Sequence, residues 1–275
     1  MTKKVAWLTD IHLDWLDSPA EIDALAHRVL AFSPECVLLS GDISLAPELA
    51  GHLSALAERL RLPVFFVLGN HDFYGSSIEE TRALARRLSA ESPWLRWLTC
   101  SEPVELTATT GLIGHDGWGD GRLGNGVRSQ ILLSDFYLID ELSGLISEPG
   151  GLPTSALHAQ LNALGDEAAR HIARVLPAAL ARFRQVLLVT HVPPFRESCW
   201  HEGRISDDEW LPHFTCHAVG DILLDVMKLH PRHNLTVLCG HTHSQGEAQI
   251  RPNLLVKTGG ATYGVPAVQE VLAVE

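Results

Sequence analysis

The chain has 275 residues and a formal net charge of −12, and this length is enough to bury a substantial core. The acidic balance argues against an extended nucleic acid as partner, because such a surface needs Lys and Arg to replace counterions. Five scattered cysteines without a CxxC pair, and no signal-like or membrane-spanning apolar run, predict a cytoplasmic protein with reduced thiols and no membrane association.

The first third of the chain alternates short apolar strands with amphipathic helices. Apolar runs rich in β-branched and aromatic residues predict strands at 5–9, 36–40 and 63–68. Apolar residues at helical spacing predict helices at 19–32, 47–60 and 77–88. This order is typical of βαβ units and predicts an α/β fold with a parallel sheet.

The remainder of the chain is less regular, and its predicted elements are given in chain order. They are strands at 104–106 and 112–114, a flexible glycine-rich loop at 114–126, a helix at 129–145, a break at 147–153, a helix at 154–181 that Pro177 ends or kinks, a strand at 185–190, a loop at 196–212, a helix at 219–229, and strands at 235–239, 254–258 and 268–274. We predict a single domain spanning 1–275, with insert loops near 114–126 and 193–212.

Polar side chains able to bind a metal follow five of these strands. They are Asp10 and His12, then Asp42, then Asn70, His71 and Asp72, then His191, and finally His241 and His243. The carboxyl ends of parallel strands meet at one edge of a sheet, where ligands bind in open α/β folds. Each motif alone is also common in ordinary turns, but five of them at five strand ends predict one site.

The ligand types indicate which ions such a site would hold. Carboxylate, amide and imidazole groups without a thiolate favour manganese, iron or zinc. With His71 and Asp72 set aside, seven candidate ligands are still too many for one tetrahedral ion and suit two divalent ions that share a carboxylate. Two adjacent ions are the known clamp for displacement at phosphorus. The isolated histidines at 27, 52, 158, 171, 230 and 233 are interpreted as solvated or helix-face residues.

These blocks resemble those of the calcineurin-like metallophosphoesterases. The pattern is D-x-H at 10–12, G-D at 41–42, G-N-H-D at 69–72, a single histidine at 191, and G-H-x-H at 240–243. The resemblance implies a four-layer α/β/β/α sandwich with mixed sheets and a dimetal site at the C-terminal strand edge. It also implies one ion held by Asp10, His12, Asp42 and His243, and a second held by Asp42, Asn70, His191 and His241.

The same resemblance implies the chemistry. His71 is the expected catalytic histidine, with Asp72 orienting its ring and Gly69 allowing a sharp turn. The implied function is a dinuclear metal-dependent phosphoesterase that cleaves a small phosphodiester or phosphomonoester by attack of a metal-bound hydroxide. A nuclease acting on short oligonucleotides and a non-catalytic metal-binding module of the same fold remain alternatives. The sequence leaves metal identity, substrate and oligomeric state open.

Two segments outside the motifs are candidates for binding the substrate. In the glycine-rich segment, Trp118 is suited to stacking and Arg122 to a bidentate phosphate contact. After the single His191, the candidates are Arg196, Trp200 and His201. The alternative for both segments is structural, with Asp-Gly turns in the first and a small tryptophan core in the second.

Overall fold

The computed structural model describes residues 2–146 and 154–275, so the break predicted at 147–153 lies outside the described residues. Within them, the strands are β1 Lys3–Leu8, β2 Cys36–Ser40, β3 Val64–Val67, β4 Leu95–Trp97, β5 Val104–Glu105, β6 Thr110–Gly114, β7 Gln185–Val189, β8 Trp200–His201, β9 Arg204–Ile205, β10 Asn234–Cys239, β11 Gly246–Arg251, β12 Leu254–Thr258 and β13 Val268–Val274. The helices are α1 Pro19–Leu30, α2 Ala46–Leu60, α3 Ile78–Glu91, α4 Asp135–Leu138, α5 Asp140–Ser143, α6 Ser155–Leu180, α7 Leu211–Phe214 and α8 His217–Leu229.

The larger strands form two mixed sheets. The first has the order β13-β1-β2-β3-β4, and the second has the order β11-β12-β10-β7-β6-β5. Strands β1 to β4 are parallel and β13 pairs antiparallel to β1. In the second sheet β12, β10, β7 and β6 are parallel, with an antiparallel strand at either edge. The predicted α/β class with mixed sheets is confirmed.

Alternation along the strands divides the apolar residues among three layers of core. In β1, Ala6 and Leu8 pack with residues of α1, α2 and α3, whereas Val5 and Trp7 pack between the two sheets against residues such as Leu187. The outer face of the second sheet packs on α6 and α8. Successive side chains of a strand point to opposite faces of the sheet. One face of each sheet therefore packs on helices and the opposite face packs on the other sheet. The four-layer sandwich implied by the resemblance is confirmed.

The segment at 129–145 differs from its prediction. Instead of one helix, it contains the short helices α4 and α5. Main-chain groups of this segment form hydrogen bonds with the residues that follow β3. Gly75 N donates to Leu138 O at 2.8 Å, and Asp140 N donates to Ser76 O at 3.1 Å. The helix predicted at 154–181 is present as α6, and it continues past Pro177 to Leu180.

The glycine-rich segment at 114–126 has no helix or strand after β6 up to residue 125, as the predicted loop requires, but most of it is buried rather than free in solvent. The side chain of Asp116 has no exposed surface. Its Oδ1 accepts hydrogen bonds from Leu68 N at 2.9 Å, Trp97 Nε1 at 2.9 Å and Thr99 Oγ1 at 2.7 Å. This carboxylate follows a strand of the second sheet and binds groups of the first, so it joins the two sheets near their C-terminal edge.

The loop predicted at 196–212 includes the two-stranded β8–β9 hairpin. Among the helices of the described residues, none combines the length and apolar character that crossing a bilayer requires.

Candidate metal centre

The candidate ligands lie directly beyond β1, β2, β3, β7 and β10, at the carboxyl ends of parallel strands. Many of them adopt left-handed backbone conformations that favour glycine. The φ angles are 47° for Asp10, 38° for His12, 50° for Asp42, 73° for His241 and 55° for His243. Such conformations cost about 1–3 kcal/mol each for other residues and persist where surrounding structure enforces them, commonly at functional sites. The backbone here is shaped to bring these side chains together.

The first group of ligand atoms combines two carboxylates with two imidazoles. His12 Nε2 lies 3.2 Å from His243 Nε2 and 3.8 Å from Asp42 Oδ2. His243 Nε2 lies 3.4 Å from Asp10 Oδ1. One ligand atom from each of these four residues lies within 4.8 Å of the others. This set of donors suits a divalent ion of borderline hardness.

The second group shares Asp42 with the first. His191 Nε2 lies 3.3 Å from Asp42 Oδ1 and 3.1 Å from Asn70 Oδ1. His241 Nδ1 lies 2.9 Å from the same Asn70 oxygen. Asp42 therefore turns Oδ2 toward the first group and Oδ1 toward the second, as a bridging carboxylate would.

Two glycines make this close packing possible. A Cβ atom at Gly69 would lie 2.2 Å from Asp42 Oδ1, and one at Gly240 would lie 2.0 Å from Asp10 Oδ2. Both distances are far below van der Waals contact, so any side chain there would displace a carboxylate. Gly69 has no positive φ, and its role is close approach rather than the sharp turn expected from the sequence.

Burial and charge act in opposite directions on the imidazoles. Burial lowers the pKa of His12 to about 4 and that of His241 to about 3, which keeps both rings in the neutral form that binds metals. Burial also acts on His191, but the adjacent Asp42 carboxylate outweighs it and raises the His191 pKa to about 10. A divalent ion would replace that proton as the charge that balances Asp42.

His71 lies beside the two groups and not among the closest ligand atoms. Its Nε2 is 4.0 Å from Asp42 Oδ2, and its side chain is 21% exposed. Its main-chain N–H donates to Asp42 Oδ1 at 3.0 Å. The ring therefore has access both to the candidate ions and to solvent, as a proton donor to a bound ester would need.

Asp72 has a structural role that differs from the expected one. Its Oδ1 accepts hydrogen bonds from the main-chain N–H groups of Ile43 and Ser44, both at 2.8 Å, and its Oδ2 accepts from Gly69 N at 2.8 Å. No hydrogen bond joins it to the His71 ring within the part of the chain that the structure describes, so the prediction that it orients this ring is wrong. Asp72 fixes the two ligand-bearing loops after β2 and β3 to each other.

Sequence reasoning missed two residues that orient Asn70. The Asn70 amide nitrogen donates to Asp135 Oδ1 at 2.8 Å and to the Tyr74 hydroxyl at 3.1 Å, and that hydroxyl donates to the same Asp135 oxygen at 2.6 Å. These contacts turn Asn70 Oδ1 toward His191 and His241. The sequence signal was weak, since Asp135 is one carboxylate among apolar residues in a segment predicted to be a plain helix.

A pocket of about 270 Å³ opens onto the candidate ligands. Its lining comprises ligands or neighbours of the centre and several aromatic residues: Asn70, His71, Tyr74, Leu133, Ser134, Asp135, His201, Phe214, His241, Thr242, His243 and Tyr263. Of the predicted substrate residues, His201 lies in this lining. Phe214 and Tyr263 were not predicted, because isolated aromatic residues in a sequence carry no positional signal.

The other predicted substrate residues lie elsewhere. Trp118 is 4% exposed and packs against Phe73 in the core, so stacking on substrate is excluded for it. Arg122 is paired with Asp120 and Asp166 at 3.0 and 2.6 Å, which satisfies its guanidinium within the protein.

In the segment after His191, two of the three predicted substrate residues lie outside the pocket. Arg196 is paired with Asp208 at 2.7 Å, and Trp200 lies against Gly246 of β11. Neither residue lines the pocket. The small apolar cluster of this segment contains Trp210 with Cys199, Leu211 and Phe214, and Trp200 is not part of it. Of the residues predicted here, His201 reaches the pocket.

A protein-family model matches most of the chain. The family model described as calcineurin-like phosphoesterase matches residues 3–245. A curated protein of Bos taurus, described as a transmembrane protein with metallophosphoesterase domain, is 29% identical over 118 residues, which is 42% of this chain and 25% of that protein. The matched region spans about a quarter of that relative's length.

Solved structures match along nearly the whole chain. Phosphopantetheinyl hydrolase from Mycobacterium tuberculosis has a TM-score of 0.62 at 16% identity, with 95% of this chain and 90% of that chain covered. A dimetal phosphatase from Danio rerio has a TM-score of 0.59 at 15% identity, with 96% and 89% covered. At such identities, these likenesses show the fold.

Proposed function

We propose that this chain, which belongs to the calcineurin-like phosphoesterase family, is a metal-dependent phosphoric ester hydrolase that binds two divalent ions and cleaves a small phosphodiester. The observation that carries this proposal is the shared carboxylate: Asp42 belongs to both groups of candidate ligands. The matched structures described as a phosphopantetheinyl hydrolase and a dimetal phosphatase support the same class of reaction. We treat residues 1–275 as one catalytic unit, because ligands from both ends of the chain meet.

The residues present fit two ions. Asp10, His12, Asp42 and His243 would hold one of them, and Asp42, Asn70, His191 and His241 the other. The fit rests on the donor set, because two buried carboxylates, an amide oxygen and four imidazoles converge within a few ångströms. Two such ions supply charge neutralisation at phosphate and lower the pKa of water. Manganese, iron and zinc all suit these donors, and we propose one of these metals or a mixed pair.

The chain's own groups would assist in two ways. His71 Nε2 is turned toward Asp42 and is the atom at which we place the proton for the leaving ester oxygen. General acid assistance of this kind contributes about 10²–10⁴ in rate. The Tyr74–Asp135 pair would hold the Asn70 amide with its oxygen toward the second ion, so that no reorientation is needed when substrate binds.

The charge of the pocket favours a diester over a monoester. The pocket-lining residues include no Lys or Arg, and the undescribed residues 147–153 contain neither type in the sequence. A monoester dianion brings one more negative charge than a diester, and this pocket offers no fixed cation from the chain to balance it. The same lack of cations disfavours oligonucleotides, whose successive phosphates need basic side chains.

The test is a comparison of two chromogenic esters. Protein stripped with a chelator and then reloaded with Mn²⁺ is assayed with bis-(p-nitrophenyl) phosphate and with p-nitrophenyl phosphate. We expect metal-dependent release from the diester in clear preference to the monoester. Preference for the monoester would reject the diester proposal, and turnover of neither, with metal bound, would reject phosphoesterase activity on simple esters and leave the non-catalytic alternative.

A matched control separates the centre from general effects of histidine replacement. His27 is exposed on α1, so His27→Gln should retain full diester activity, whereas His71→Gln should not.

The cytoplasmic location remains a prediction, with buried unpaired cysteines such as Cys199 and Cys216 as its support.

A further inference from the structure

Two large aromatic side chains are exposed beside the candidate metal centre. Trp15 is 58% exposed and Tyr263 is 40% exposed. Their ring centroids are 4.7 Å apart and their planes are inclined by 33°, so they form one continuous aromatic surface. Exposing this much apolar area has a free-energy cost that burial in the core would avoid. An exposed pair of this kind is typical of a surface that binds something.

The pair is attached directly to the first group of ligands. Trp15 ends a 3₁₀ turn, Leu13–Trp15, that begins right after the ligand His12. The Tyr263 ring lies 4.5 Å from the His12 ring and 5.0 Å from the His243 ring. It also lies 6.3 Å from the His71 ring. A phosphate group at the centre would therefore place one of its ester substituents within reach of this surface.

The chemistry of the surface selects the kind of substituent. Tyr263 lines the pocket, and among the described lining residues none is Lys or Arg. At the second group of ligands, the Phe214 ring lies 5.0 Å from the His241 ring and stacks on Trp210 at 4.9 Å. The parts of a substrate beyond its phosphate thus meet aromatic faces and no cationic side chain of this lining. Planar rings gain most from such faces, through stacking and apolar burial.

We propose that Trp15 and Tyr263 form a subsite for a planar ring carried by one ester substituent of the substrate. The preferred substrate class is then a phosphodiester with an aromatic or heteroaromatic ring, such as a nucleobase, on one arm. This inference rests on the proposed phosphodiesterase function for its substrate, but ring binding itself does not require turnover.

The test therefore uses ligands that cannot be hydrolysed. Diphenylphosphinate and dimethylphosphinate carry the same single charge, and their P–C bonds offer no ester to cleave. Calorimetric titration of Mn²⁺-loaded protein with each gives the preference for rings directly. We expect Trp15→Ala to reduce the preference for diphenylphosphinate by roughly 5- to 100-fold, the range for loss of one stacking face, and to leave dimethylphosphinate binding unchanged.

Controls make both outcomes decisive. Tyr263→Leu keeps an apolar side chain without a ring and should lose part of the preference, while Phe32→Ala removes an exposed aromatic residue at the end of α1 and should change nothing. Unchanged preference in both Trp15→Ala and Tyr263→Leu would overturn the proposal. An equal loss for both ligands would also overturn it, because that result means the pair only positions the metal centre. Failure of ester hydrolysis would reject the function and still leave the ring preference measurable.

Discussion

The proposed metal centre has two halves that share Asp42, the first with Asp10, His12 and His243 and the second with Asn70, His191 and His241. The halves differ in how these candidate ligands are held. In the second half every ligand has a hydrogen-bond partner behind it: His191 Nδ1 lies 2.8 Å from Ser40 O, His241 Nε2 lies 3.2 Å from His213 O, and Asn70 is held by Tyr74 and Asp135. In the first half, Asp10 also has partners, Thr9 Oγ1 at 2.6 Å and His241 N at 2.9 Å. His12 Nδ1, however, is buried and lacks a partner among the described residues, and the Tyr263 ring lies beside the His12 ring instead.

This difference indicates that the second half is suited to holding an ion firmly and the first half to accommodating substrate. Partners behind the ligands fix ring orientation and strengthen metal binding, typically by 10–100-fold. The second half is therefore the more preorganised, and we expect it to retain its ion longer during graded treatment with a chelator. The first half borders the open aromatic surface, where a substrate arm can lie. The following variants test this division of labour.

The largest effect is expected where the two halves meet. Asp42→Asn removes the charge that both groups share, so both ions should be lost and diester hydrolysis should fall to the level of chelator-treated protein. Metal content by atomic emission, measured beside circular dichroism, separates this loss from unfolding. Retention of two ions with normal turnover would show that the halves are independent and that Asp42 is not a bridge.

His71→Gln should remove proton donation and leave both halves loaded. We expect kcat for the diester to fall by about 10²–10⁴ with an unchanged metal content. The effect should shrink for esters with more acidic leaving groups, which need less protonation. An equal loss for all leaving groups would contradict the assignment of His71 as the acid and would favour a role in positioning phosphate.

The second half can be weakened alone. Asp135→Asn and Tyr74→Phe each remove part of the network that turns Asn70 Oδ1 toward His191 and His241. We expect the affinity for one of the two ions to fall by about 10–100-fold, while the other ion binds as before. Metal titration followed by calorimetry measures both steps. If both ions lost affinity equally, the proposed difference between a second half held by hydrogen bonds and a more open first half would be wrong.

The smallest effect concerns stability, outside both halves. Burial lowers the pKa of His115, next to Asp116, to about 3. In the unfolded chain this histidine has a pKa near 6.5, so the unfolded state takes up the proton at a higher pH than the folded state does. The free energy of unfolding is therefore highest above about pH 6.5 and decreases as the pH falls below that value. Between pH 7 and pH 5 the loss is on the order of 2 kcal/mol. Urea unfolding of His115→Gln at both values should show a smaller pH dependence than the parent, and an identical dependence would contradict this.

The convergence of the candidate ligands could be predicted from the sequence because these residues are tied to strand ends. Asp10, His12 and the 240–243 block each follow a buried strand, and parallel strands carry their ends to one edge whatever the loops do. Asp135 was missed because its contact with Asn70 depends on how the segment beyond residue 129 folds back on Gly75 and Ser76. Local spacing predicted a helix there, and tertiary hydrogen bonds overrode it.

The same reasoning explains the errors at single side chains. Trp118 and Arg122 have the right chemistry for binding phosphate esters, yet one is buried against Phe73 and the other is neutralised by Asp120 and Asp166. A sequence shows which groups are present but not whether partners already satisfy them. Asp72 illustrates this as well, since its carboxylate serves main-chain N–H groups rather than a catalytic ring.

Asp116, which links the glycine-rich segment to the first sheet, has a consequence for how the protein comes apart. Separating the sheets at this edge would expose a buried carboxylate and break its three hydrogen bonds at the same moment. A state in which the sheets are partly separated would lose all three hydrogen bonds, so its free energy is raised relative to the native state. The two sheets are expected to lose structure together, so that the distance between the ligands they carry is kept until the whole sandwich gives way.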